Sequence, residues 1–132
     1  MIVADSSALL DALLARPPDS DLLARLSTEG GVHVPHLVDL EVAQVLGRLV
    51  RAGRLSLDRA SDALRDYVDL TLVRYPHEPF LDRIWELRPN LTAYDAAFVA
   101  LSEALDAPLV TTDARLAGVP GIAASVEVYP RS

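Results

Sequence analysis

Residues 1–15 read MIVADSSALLDALLA. Ile2 to Asp5 form a short apolar run closed by an acid, the pattern of a buried strand. Ser6 to Ala15 follow at once with Leu and Ala at helical spacing, until Arg16-Pro17-Pro18 stops the helix. A strand that passes directly into a helix opens an α/β unit, and the rest of the chain repeats that alternation. A second helix is expected over 20–28, capped by Asp19 or Ser20 and ended by Gly30-Gly31. Val32-His33-Val34 is the next strand. A long helix over about 37–52 then carries Leu37, Val38, Val42, Val45, Leu46 and Leu49 at helical spacing and ends near Gly53.

Ser56 or Leu57 to Leu70 reads as an amphipathic helix, with Leu57, Ala60, Leu64, Tyr67 and Val68 as its buried stripe. Asp58, Asp62, Asp66 and Asp69 recur on another face, as a solvated surface does. Leu70 to Arg74 is a third strand, and Glu78 to Leu87 a helix stopped at Arg88-Pro89. Thr92 to Leu105 is a helix, Leu109 to Thr111 a strand, Ala114 to Leu116 a short helical turn, and Val126 to Tyr129 a last strand. Strands alternating with helices imply an α/β fold, a mostly parallel central sheet of about five short strands with helices on both faces. No linker, repeat or low-complexity segment divides the chain, so residues 1–132 read as one domain.

The chain has 132 residues, 51% of them hydrophobic and only 5% aromatic, so its core is Leu, Val and Ala. No apolar run approaches the roughly 20 residues of a membrane span. The opening MIVADSSALL lacks a basic segment and is not read as a signal peptide. Cysteine is absent, which excludes disulfides and thiolate metal sites and fits a cytoplasmic protein. A net charge of −7 argues against a nucleic-acid partner at first sight. Yet all 12 basic residues are Arg, which suits bidentate phosphate contacts, and acids that hold a cation do not count against the partner. GC-rich coding would give the same bias. Without Lys, a P-loop is excluded.

Four acids stand out: Asp5 at the end of the first strand, Glu41 in the second turn of the long helix, Asp95 in the first turn of a later one, and Asp113 just after the Leu109 strand. Sites in open α/β sheets form at the carboxyl ends of strands. If the first and Leu109 strands are neighbours, Asp5 and Asp113 emerge on one rim, and Glu41 joins them because helices after strands begin there. Asp95 follows no strand directly, so topology fixes it less firmly. Singly, Asp5, Asp95 and Asp113 could each serve as a helix cap, and Thr92-x-x-Asp95 resembles a capping box. Glu41 is harder to dismiss, because Leu37, Val38 and Val45 surround it with apolar surface and a charge there needs a partner. Asp39 points to the other side. Two carboxylates about 5 Å apart repel by roughly 3 kcal/mol at an effective dielectric of 20. A cluster of them persists only when protons or cations neutralise it, and hard oxygen donors favour Mg²⁺ or Mn²⁺. His33, His36 and His77 lack metal-site spacing; His33 reads as strand-end packing and the others as surface residues.

In order, D-S-S-A-L-L, L-E-V-A-x-V-L, L-T-A-Y-D-A-A-F-V-A-L and L-V-T-T-D-x-x-L resemble the PIN domain, specifically the VapC-type toxin ribonucleases of bacterial toxin–antitoxin pairs. The resemblance covers nearly the whole chain and implies a PIN-like three-layer fold. By it, Asp5, Glu41, Asp95 and Asp113 are catalytic, metal-binding acids for Mg²⁺ or Mn²⁺. Ser7, Thr111 and Thr112 are their supporting hydroxyls. It further implies an endoribonuclease acting on an RNA substrate, a small VapB-type antitoxin as partner, and a homodimer. Helices 20–28 and 37–52, with more apolar positions than one sheet face can cover, fit that pairing. Arg48, Arg51, Arg54 and Arg115 are the candidate RNA contacts, with Arg48 about 10 Å along the helix from Glu41. No aromatics interleave with them. A PIN-like nuclease without an antitoxin, or a non-catalytic cation-binding module, would share most of these features.

Overall fold

The structure, a computed structural model, describes residues 1–131. Five strands, β1 (Ile2–Ala4), β2 (Val32–Pro35), β3 (Leu72–Tyr75), β4 (Leu109–Thr111) and β5 (Val126–Val128), form one sheet in the order β3-β2-β1-β4-β5. Every pairing is parallel. β1, β2 and β4 are buried throughout, whereas the edge strands β3 and β5 are partly open. That is the distribution expected when helices cover both faces of a parallel sheet. The six helices are α1 (Ser6–Leu14), α2 (Ser20–Leu26), α3 (Leu37–Arg51), α4 (Leu57–Val68), α5 (Leu81–Glu86) and α6 (Ala93–Leu105). The segment expected as one helix over 78–87 is a 3-10 turn, Glu78–Phe80, running into α5. Among the described residues no helix is long and apolar enough to cross a membrane.

α1, α3 and α4 pack on one another, while α6 lies across β1, β2 and β4 with α5 beside it. Ala96 to Ser102 are seven consecutive buried residues, so α6 is enclosed on all sides except at its ends. Arg83 of α5 clamps it through a bidentate pair with Glu103, at 2.7 and 3.0 Å, and Glu103 also accepts from the Ala123 N–H. α4 departs from expectation. Its buried residues are Ala60, Ala63 and Tyr67, whereas Leu57, Leu64 and Val68 are 68%, 40% and 67% exposed. Small residues let α4 approach closely, and Tyr67 reaches in to donate to Asp39. The larger aliphatics are thereby left on the outside, and Asp58, Asp62 and Asp66 of α4, with Asp69 at its C-cap, are exposed, as expected.

The order reverses at β1, with β2 on one side and β4 on the other. This switch point lies at the carboxyl ends of β1 and β4, where the crevice of an open α/β sheet forms.

Candidate functional site

Asp5 follows β1 and is the N-cap of α1, its Oδ1 accepting from the Ala8 N–H at 3.0 Å. The same oxygen accepts from the Ser7 hydroxyl at 2.6 Å, and Oδ2 accepts from the Thr111 hydroxyl at 2.6 Å. Three donors on two oxygens fix the carboxylate, which is only 7% exposed. Capping explains one of those bonds; the hydroxyls from positions 7 and 111 are additional. Ser7 in turn accepts from the Thr112 N–H at 3.1 Å, and Thr111 from the Asp113 N–H at 3.0 Å. Position 112 thus supports the site through its backbone. Burial raises the Asp5 pKa, the three bonds oppose the rise, and the Asp95 charge adds to it.

Glu41 is half-buried, and its Oε1 is buried with no hydrogen-bond partner. Burial raises its pKa, the Ser6 hydroxyl opposes, and the charges of Asp95 and Asp5 push it higher. Asp95 occupies the third residue of α6, where its N–H donates to the Thr92 hydroxyl at 3.2 Å. The carboxylate makes no return bond to the Thr92 N–H, so half of the capping box is absent. Burial and then Asp113 raise the Asp95 pKa. Asp113 behaves oppositely: Arg115 donates to both of its oxygens, with a closest distance of 2.7 Å, and holds its pKa down. The four acids therefore share one electrostatic neighbourhood on the β1–β4 rim, linked by mutual repulsion from Asp5 through Glu41 and Asp95 to Asp113.

The candidate cation-bearing residues fall in different places. Arg48 lines the same groove as Glu41, whereas Arg51 lines a different one, between α3 and α4. Arg54 sits near the end of α1, beside Arg16 and Arg131. Asp39 faces away from the acids, held by Arg74 and Tyr67. His33 is packed as expected: its Nε2 donates to the Gly30 carbonyl and its Nδ1 accepts from Tyr75, both at 2.7 Å. His77 is more than a surface residue, since its Nε2 accepts from the Leu37 N–H at 3.0 Å and caps α3. Tyr94 has no counterpart among the residues singled out from sequence. It is 65% exposed and lines the groove with Glu41 and Arg48, and its place one residue before an acid at a helix start is the one local cue that could have found it.

Residues 2–122 match the PIN domain family. The chain belongs to that family. It is 44% identical over 131 residues to a VapC ribonuclease of Mycobacterium bovis, covering 99% of this chain and all of that one. It is 40% identical over 127 residues to ribonuclease VapC1 of Mycobacterium tuberculosis, covering 96% of each. Among solved structures, VapBC2 of Rickettsia felis bound to a promoter DNA fragment superposes with a TM-score of 0.71 at 16% identity, covering 98% of this chain and 99% of that one. PAE2754 of Pyrobaculum aerophilum gives 0.70 at 22% identity, covering 96% and 83%. At these identities the two structures establish the fold.

The PIN-domain acids suit a hard divalent cation in donor chemistry, since every candidate ligand is a carboxylate oxygen. The orphaned Oε1 of Glu41, and the pKa values of Asp5, Glu41 and Asp95, raised by burial first and by neighbouring carboxylates second, mark a place where positive charge would be favourable. As the side chains stand, no three potential ligands close around a single point among the described residues. Asp113 is engaged by Arg115 instead. The acids border the site and would have to draw inward to enclose an ion.

Proposed function

We propose that this PIN domain is a Mg²⁺- or Mn²⁺-dependent endoribonuclease, the toxin of a toxin–antitoxin pair. The observation that carries the reading is Glu41: a buried carboxylate oxygen without a partner, facing Asp5 and Asp95 on the rim where β1 and β4 end. Mycobacterial relatives of 40–44% identity, each named a ribonuclease, support the substrate class. Asp5, Glu41, Asp95 and Asp113 would hold a divalent cation, which when bound would supply charge neutralisation at the phosphodiester and an acidified water.

The chain's own residues do the rest. Ser7, Thr111 and the Ala8 N–H hold Asp5 in one orientation, so its charge is in place before any ligand arrives. Thr111 also ties the Asp113 backbone to Asp5, which keeps β1 and β4 in register at the site. Arg48 offers its guanidinium to a phosphate in the adjoining groove. Arg115 neutralises Asp113 in the free protein and, once released, would pair with a phosphate of the RNA backbone.

The proposed partner is a small VapB-type antitoxin, and the exposed aliphatics Leu57, Leu64 and Val68 on α4 support an apolar interface for it or for a second copy of this chain. The test is incubation of purified protein with total RNA and Mg²⁺, followed by mapping of new 5′ ends. Asp5→Asn and Asp95→Asn should abolish the cuts in folded protein, and EDTA should do the same to wild type. Cleavage that survives EDTA or either substitution rejects the reading.

A further inference from the structure

Beside the acids, a groove of about 690 Å³ runs along α3 towards its carboxyl end. Its volume lies within the roughly 300–1,000 Å³ of ligand sites. Leu37, Leu40, Glu41, Gln44 and Arg48 face it from α3, at spacings of three, four, seven and eleven residues that form one stripe. Tyr94, from the first turn of α6, makes the facing wall.

Tyr94 is 65% exposed, in a protein of only 5% aromatics, and its ring has no aromatic or cationic stacking partner among the described residues. Trp85, the other exposed aromatic of similar size, is covered by the Arg88 guanidinium at 4.4 Å. Tyr94 lines this groove together with Glu41, so a group held against the ring lies in the groove that the Glu41 carboxylate borders.

We infer that Tyr94 is the stacking platform of a nucleobase subsite, which takes the unpaired base next to the cleaved phosphodiester. The inference rests on the ribonuclease reading above. A base has an apolar face for the ring and for Leu40, and polar edges for the Gln44 amide. Its backbone phosphate falls to Arg48, the one cation lining the groove among the described residues. An apolar peptide side chain would use Leu37 and Leu40 but leave the amide and the guanidinium without a role. Stacking tolerates every base, so Tyr94 supplies affinity and placement and Gln44 the preference among edges.

Single-stranded RNA dodecamers of mixed sequence, with 2-aminopurine at each position in turn, provide the probe. Binding is measured with the Asp5→Asn protein in Mg²⁺, where bound RNA should stay intact. At one position the fluorescence should be quenched. Tyr94→Ala in the same background should abolish that quench and weaken binding roughly tenfold, within the range for loss of one stacked base. Tyr94→Phe should retain both. Equal melting temperatures would show that all three proteins are folded, as an exposed side chain predicts. Gln44→Ala should keep the quench and flatten differences between base identities at that position. If Tyr94→Ala binds as tightly and quenches as strongly as its parent, the subsite does not exist. A substitution that weakens only an antitoxin complex gives the groove to the protein partner and overturns the inference too. Cut probe from the Asp5→Asn protein would count against the acids, and the quench comparison would still decide the role of Tyr94.

Discussion

At Thr111 a single hydroxyl serves two elements. It is fully buried, donates to Asp5 Oδ2 and accepts from the Asp113 N–H. Thr111→Val keeps the shape and removes both bonds, leaving a carboxylate oxygen and an N–H without partners. A loss of about 1–3 kcal/mol in unfolding free energy is expected, read by urea denaturation, together with a fall in cleavage rate. Thr111→Ser should restore most of each. Glu41 predicts the opposite sign. Its pKa is raised in the fold, so the folded state holds the proton more tightly than the unfolded state, and stability falls as pH rises from about 4.5 through the folded value. Glu41→Gln should therefore raise the melting temperature in EDTA at neutral pH and flatten that pH dependence, while removing the gain expected for wild type in Mn²⁺. A lower melting temperature for Glu41→Gln in EDTA would mean that the charge is not the burden described. Asp39 runs the other way. Burial acts to raise its pKa, but the bonds from Arg74 and Tyr67 prevail and lower it, so its contribution is present above about 3.8 and lost as pH falls through the folded value.

Elements bring these residues together, and α3 shows how. Its N-cap residue, His36, makes no capping bond, and the ring of His77, forty residues away in sequence, accepts from Leu37 instead. His77→Ala should cost about 0.5–2 kcal/mol, the usual value of a cap. Because α3 carries Glu41 and Arg48, the same variant should weaken Mn²⁺ stabilisation measured by thermal shift. Unchanged stability would show that solvent replaces the ring at no cost. The sequence could not reveal this cap, since no local pattern joins positions 37 and 77. Much else was readable. IVAD followed by a helix, and strands alternating with helices, gave the parallel sheet, and the Leu109 strand did prove to be the neighbour of β1. The rim placement of Asp5, Glu41 and Asp113 was readable because strand ends and helix starts fall on one rim. Asp95 needed α6 itself, which runs back across the sheet and begins at that rim. The stripe of α4 was misjudged because hydrophobicity alone ranks Leu above Ala. Close helix packing against α1 and α3 selected Ala60 and Ala63 and left the leucines outside. Tyr94 was passed over because periodicity marks buried faces, and Tyr94 lies on an open one.

Across the whole molecule, a net charge of −7 and an exposed aliphatic face pull towards different partners. The negative charge keeps copies of the chain apart at long range, whereas Leu57, Leu64 and Val68 give up water only when another surface covers them. Salt screens the first effect and leaves the second, so self-association should strengthen from low ionic strength to about 0.15 M, where the Debye length is near 8 Å. The RNA groove should respond in the reverse sense, since each phosphate contact gives a log–log slope of about −0.7 on a single strand. Leu57→Glu with Leu64→Glu separates the two surfaces. Both side chains are already solvent-exposed in the monomer, so each change should alter its stability by no more than about 0.5 kcal/mol. Sedimentation should then give a monomer at micromolar concentration, or an antitoxin that no longer binds. RNA cleavage per chain should persist, because neither residue lines the groove beside Glu41. If the double variant associates as wild type does, α4 is a plain solvent face and the interface lies elsewhere. If it loses cleavage while remaining folded and monomeric, the active unit is the assembly, with the second copy completing the site.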